Sequence, residues 1–463
     1  MATIDTAALQ EMAMKHLWLH FTQMAGFDPA KHPVMVRGDN IFLEDSNGNR
    51  YMDFLSGLFT VQIGYSHGEE IGTAMLEQAM ELPYYTNWTY SHPKAIELAT
   101  KLAEITPDSI NRAFFVSGGS EGVEGAIKLA RDYHNAGGEP MRRKVIARKI
   151  AYHGTTYGAL SLTGITSIRA PFEPLMAGVR HVEPTNPYRC KYCADQGGCN
   201  LKCADEVAEV IEFEDPSTVS MVIMEPVQNA GGCFTPHPEY HQRVNEICKE
   251  YGVLHAADET ICGYGRLGEW YGSQRFEYEP DIITCAKGLT SGYQPMGAVL
   301  FGDKIADRLI ETEHMFLHGI TFGGHPIVAA AALKNLEIME REGVLENVKQ
   351  NEPYLRDQLF GLMERHEIIG DVRGAGYFWA MELVKDRATK ETFNEDECNV
   401  LLRDFLSPTL LSEGLLCRAD DRGDPAIQIS PPLITTRDQI DEAIAVFDKV
   451  LPQAQDLMLK LRR

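Results

Sequence analysis

Lys287 follows an apolar run at 282–286 and precedes Gly288-Leu289-Thr290-Ser291-Gly292. A lysine in that place is either an exposed strand end or a desolvated amine of lowered pKa, suited to imine chemistry. Asp258 and Glu259 close a second apolar run, 253–257. Two adjacent acids are often solvated loop charge, but the apolar strand before them aims at least Asp258 into a site. Glu225 ends a third run, Val219–Met224, and an ionised carboxylate there is costly unless paired or functional. Ser117-Gly118-Gly119-Ser120 joins Arg112–Val116 to a helical pattern. Such a turn offers free N–H groups and the positive end of a helix dipole to an anion such as phosphate. Alone it could equally be a tight turn with Ser120 as N-cap. Tyr152-His153-Gly154 follows the run at 144–150, and an aromatic there can wall a planar ligand or merely pack the core. An anion cradle, an aromatic wall, a carboxylate and an amine at one sheet edge are together what pyridoxal phosphate requires.

The elements that must hold these groups are legible in the same runs. From about 111 to 301, apolar strands alternate with helical patterns, which predicts an α/β fold with a mostly parallel sheet. Continuous apolar character, as in Met221-Val222-Ile223-Met224, predicts strands covered on both faces. Ligands bind beyond the carboxyl ends of such strands, where all the groups above fall. From 327 onward the pattern turns to long helices (327–342, 345–366 and 436–462) with strand-like pieces at 374–383 and 426–429, a smaller α+β domain. Residues 1–65 carry a helix and a hairpin with turn signals at 38–40 and 46–49. The chain of 463 residues has 43 basic and 66 acidic side chains, a net charge of −23. That field repels phosphate backbones and argues against nucleic acid as a partner. The longest clean apolar run, 327–333, is far short of the roughly 18 residues a membrane span needs, and no apolar signal core opens the chain. A cytoplasmic protein is expected.

With these motifs in place, the chain resembles the class III (omega) aminotransferases, fold-type I pyridoxal-phosphate enzymes. The resemblance rests on residues 115–128 (FVSGGSEGVEGAIK), Tyr152-His153-Gly154, 225–232, 258–268 (DETICGYGRLG), 286–288 and 318–326 (HGITFGGHP). It implies that Lys287 joins the cofactor as a Schiff base, Asp258 pairs with the pyridine nitrogen and Tyr152 stacks on the ring. Gly119 and Ser120 would bind the phosphate, and Thr321 would complete that site from a second copy, in a homodimer or dimer of dimers with shared sites. Glu225 and Thr260 join the cofactor-binding set, Thr260 standing where a branched apolar residue usually packs under the ring. The family fold places residues 1–65 with the small domain (327–463), around a large domain at 66–326. Ala230 stands where glutamate-coupled members carry a second acid, which favours the pyruvate-coupled branch. In that branch a mobile arginine receives the keto-acid carboxylate, and Arg418 occupies the matching place. Phe59 and Trp88 match places where aromatics line the substrate pocket. The implied reaction moves an amino group from an amine or omega-amino acid to pyruvate. An aminomutase or decarboxylase on the same scaffold would keep every cofactor residue, and a non-catalytic metal-binding scaffold protein would need none of them.

Cys190, Cys193, Cys199 and Cys203 lie outside that pattern, in an insertion at about 188–206. An even spread of the ten cysteines would put about 0.3 of one in the 14 residues from 190 to 203. Four thiols so close predict a structural metal centre, and the compact spacing favours an iron–sulfur cluster over zinc.

Overall fold

The computed structural model describes residues 4–25, 27–29, 32–194 and 198–461. After a helix, Thr6–His16, come three short antiparallel strands: β1 (Met35–Asp39), β2 (Phe42–Asp45) and β3 (Arg50–Asp53). Asp45 closes the β2–β3 turn by accepting the N–H groups of Asn47 and Asn49, each at 2.9 Å. A side chain that caps its own turn in this way fixes the hairpin.

The central sheet holds β4 (Arg112–Val116), β5 (Lys144–Arg148), β6 (Val179–Val182), β7 (Val219–Met224), β8 (Leu254–Asp258), β9 (Ile282–Cys285) and β10 (Gly297–Phe301). Their order is β4-β10-β9-β8-β7-β5-β6. β10 is antiparallel to both neighbours, and all other pairs are parallel. The carboxyl ends of β4, β5, β7, β8 and β9 therefore share one edge.

Helices cover both faces, which is why the strands read as unbroken apolar runs. On one face, Val123, Ile127 and Ala130 of the helix Gly119–Ala136 pack with Val145, Ala147, Met221 and Ile223. On the other, Val207, Ile211, Val244 and Ile247, from helices Lys202–Phe213 and Tyr240–Tyr251, meet Ile146, Val222 and Met224. β6 escapes the sequence pattern because it is a four-residue strand at the sheet's end carrying Arg180 and His181.

The C-terminal part pairs β11 (Ile369–Ala375) with β12 (Phe378–Leu383). β13 (Leu415–Leu416) crosses to run parallel with β3, setting Leu415 opposite Met52. β14 (Arg418–Asp420) and β15 (Ala426–Ile429) complete the sheet β11-β12-β15-β14. Helices Pro326–Arg341, Val344–Arg365 and Arg437–Leu461 fall where the sequence places them. No described helix is long and apolar enough to cross a membrane.

Candidate active site

The shared sheet edge opens into a cavity of about 420 Å³ lined by Gly119, Ser120, Tyr152, Glu225, Asp258, Thr260 and Lys287, among others. These seven come from five different connections, so only the sheet topology brings them together.

Lys287 sits at the first turn after β9 with φ +43°. A left-handed backbone at a non-glycine residue costs of order 1–3 kcal/mol and persists only where the surroundings impose it. Burial pushes its ammonium below the ordinary lysine value, against the opposing pull of Asp258 and Glu225. Asp258, at the end of β8, is buried. Its Oδ2 accepts from His153 Nδ1 at 2.8 Å, and its Oδ1 from Thr284 Oγ1 at 3.0 Å and Thr260 N–H at 3.2 Å. Burial alone would raise this carboxyl, but the hydrogen bonds of His153 and Thr260 win and hold it below the usual range. Glu225 shows the opposite balance. Burial raises it, although it accepts the Asn229 N–H at 3.0 Å and the Tyr152 N–H at 3.4 Å. Neither His153 nor Thr284 is singled out by the sequence, since each meets Asp258 only across the folded sheet.

The other end of the cavity is an anion cradle. The helix Gly119–Ala136 begins after Gly118 with no side-chain cap, so the capping role open to Ser120 in the sequence is not taken. Gly118, Gly119 and Ser120 line the cavity at the start of this 18-residue helix, where its positive end lies. Space is tight. A Cβ on Gly119 would lie 2.9 Å from Thr260 Cγ2, and one on Gly154, where φ is +123°, would lie 2.3 Å from Ser120 Oγ. Among the described residues, Thr260 Oγ1 is buried with no hydrogen-bond partner. An uncapped helix start, a wall in Tyr152, an ionised carboxylate and an amine in one cavity fit pyridoxal 5′-phosphate.

Four predicted residues lie outside the cavity lining in the single chain. Thr321 is exposed and does not line the cavity; its carbonyl accepts from Tyr84 Oη at 2.8 Å. Trp88, 67% exposed, stands with Phe114, Met315 and Leu317 on a separate cavity. Phe59 is buried in the core, edge-on to Phe378 with ring centroids 5.7 Å apart. Arg418 lies beside it, its guanidinium carbon 5.9 Å from the Phe59 ring.

The metal expectation is corrected. Cys190, Cys193, Cys199 and Cys203 do line one cavity, of about 320 Å³. Yet among the described residues no three histidine, cysteine or acidic side chains stand so that they could hold a metal ion. Burial, reinforced by neighbouring cysteines, pushes the Cys193 thiol up to about 11 and that of Cys203 up to about 12. Cys199 is exposed and Cys203 belongs to the core under β7. Neither an iron–sulfur cluster nor zinc is supported. Residues 195–197 of the insertion lie outside the described residues.

Residues 27–451 match the family model for aminotransferase class-III. A probable aminotransferase of Mycobacterium tuberculosis is 49% identical over 447 residues, covering 96% of this chain and 95% of that protein. A putrescine–pyruvate aminotransferase of Pseudomonas aeruginosa is 35% identical, with 98% of each chain covered. A taurine–pyruvate aminotransferase of Bilophila wadsworthia is 36% identical, covering 96% of this chain and 97% of that one. Among solved structures, an (S)-enantioselective omega-transaminase from Thermomicrobium roseum superposes with a TM-score of 0.91 at 34% identity, covering 98% of this chain and 100% of that chain. The chain therefore belongs to the class III aminotransferases, and it is an enzyme, a pyridoxal-phosphate-dependent transaminase of fold type I.

Proposed function

We propose that this enzyme carries an amino group from an amine or omega-amino acid to pyruvate, with Lys287 and Asp258 as its catalytic residues. The observation that carries the reading is the convergence of Lys287, Asp258, Tyr152 and the uncapped helix start on one cavity. When bound, pyridoxal 5′-phosphate supplies an electron sink for the charge left on the donor's carbon. Lys287 holds the cofactor and, once the donor displaces it, moves the proton. Its Nζ, kept below the ordinary lysine value by burial, would take the proton from the donor's carbon and deliver it to the carbon on the other side of the nitrogen. Asp258, kept ionised by His153 and Thr260, holds a proton on the ring nitrogen. Tyr152 and Thr260, both lining the cavity, would hold the two faces of the ring. Gly119 and Ser120 bind the phosphate, which Thr321 from a second copy completes. The shared site makes the enzyme a homodimer or a dimer of dimers, with residues 1–65 and 327–463 forming a small domain around 66–326.

Pyruvate as acceptor draws support from two relatives named for it and from Ala230, which leaves no second acid in the 225–232 loop. Arg418, packed beside Phe59, receives the carboxylate. A cytoplasmic site of action accords with ten free thiols. The test is Lys287→Ala. Turnover is lost while the fold and non-covalent cofactor retention persist, and borohydride, which reduces C=N bonds, no longer links cofactor to protein. Transamination by the variant at the wild-type rate would refute the assignment. Comparing pyruvate with 2-oxoglutarate across a panel of amine donors decides the acceptor.

A further inference from the structure

Arg418 and Asp420 are two residues apart on β14, so their side chains leave the same face of the strand. The turn that follows brings Arg422 back onto Asp420. Asp420 is 8% exposed and takes Arg422 Nε at 2.8 Å and Nη2 at 2.8 Å, a two-pronged ion pair. Arg418 has a single ion pair among the described residues, from Nε to Asp420 Oδ2 at a loose 3.9 Å. Arg422 has its guanidinium carbon 6.0 Å from the ring of Tyr152, which lines the cavity, and Arg418 has its own 5.9 Å from the Phe59 ring; neither arginine is itself among the cavity-lining residues. Two cations thus share one buried carboxylate, and the geometry gives it to Arg422.

That division matters for an arginine that must serve two half-reactions. Arg418 has to grip a carboxylate when the keto acid is bound and to yield when the donor carries no charge there. If Asp420 depended on Arg418, every departure would strand a buried carboxylate, which is strongly unfavourable. We propose that Arg422 is the standing counter-ion of Asp420, a positioning residue that keeps Arg418 available to the substrate's carboxylate. This rests on the reading of Arg418 given above.

The test compares the KM for pyruvate, and the single-turnover rate with an uncharged amine, in four variants of the holoenzyme. In Arg422→Gln, Asp420 closes on Arg418 and competes with the substrate, so KM for pyruvate rises about tenfold while the amine half-reaction holds. In Asp420→Asn the competitor is gone, and KM stays level or falls. The double variant returns KM to within about threefold of wild type, a rescue that mere damage to the fold would not produce. An unchanged KM in Arg422→Gln, or a double variant as impaired as that single one, overturns the proposal. Arg418→Ala separates the two readings. If it leaves KM unchanged while Arg422→Gln raises it, Arg422 itself receives the carboxylate, and both readings fall. If Arg422→Gln does not fold, Asp420→Asn decides alone: a tenfold rise in KM overturns the proposal, and a level or lower KM upholds it.

Discussion

Thr284→Val tests how Asp258 is kept ionised. The substitution preserves side-chain shape and removes one hydroxyl, the donor 3.0 Å from Asp258 Oδ1. Both residues are buried, so no water replaces the lost bond. A hydrogen bond to a charged group contributes about 1.5–3 kcal/mol, and the variant should lose that much stability at pH 8. Asp258 retains His153 Nδ1 and the Thr260 N–H, so it stays ionised there and turnover falls only a few-fold. The pH dependence carries the sharper signal. A carboxyl held below its unfolded value contributes stability that is complete above that value and is lost as the pH falls through the folded one. Removing a donor raises the folded value, so the acid limb of kcat/KM moves to higher pH in the variant. Its deficit in Tm against wild type also narrows at the acid end, where both proteins carry a neutral Asp258. Thermal melts of the holoenzyme from pH 4 to 8, beside the activity profile, measure both. A variant whose acid limb and Tm match wild type would show that Thr284 does not support the Asp258 carboxylate.

Gly154→Ala places a Cβ 2.3 Å from Ser120 Oγ on a backbone at φ +123°; cofactor affinity, read by fluorescence titration of apoenzyme, should fall by roughly tenfold or more. Arg373→Met removes a guanidinium that bridges Glu382, Gly231 and Gly232. It leaves the buried Glu382 with Arg189 alone and should cost about 3–5 kcal/mol in a denaturation series. Cys199→Ser changes an exposed thiol and should leave turnover and Tm unaltered, with no stoichiometric iron or zinc in either protein by elemental analysis. A bound metal lost with that sulfur would reverse the correction made to the cysteine quartet.

The strand ends were the legible part of this molecule. Lys287, Asp258 and Glu225 each follow a run of residues buried on both faces, and a charged group there stands out against the apolar pattern. What lay beyond reach were partners fixed by tertiary geometry. His153 meets Asp258 across 105 positions of chain and Thr284 meets it across 26; no local pattern marks either. Arg422 carries no mark in the sequence because its partner, two residues away, is buried only once β14 pairs with β15. The cysteine insertion misled for a related reason. Spacing along a segment brings the four sulfurs to one cavity, but it does not decide whether three of them can close on one ion. Cys203 turned into the core under β7, and Cys199 turned to solvent.

The pairing of β3 with β13 has a consequence for how the chain matures. Met52 has no partner on that side until Leu415 exists, and Ser56 donates to a carbonyl 374 positions later. Contacts so distant in sequence form late, because the loop they close must be ordered first. During synthesis, β1–β3 emerge as a small sheet with an open edge, while the central sheet beyond them can already assemble. An exposed strand edge is a template for pairing with other chains. The nascent enzyme is therefore most vulnerable to aggregation at its N-terminus, for as long as it takes the ribosome to reach residue 416.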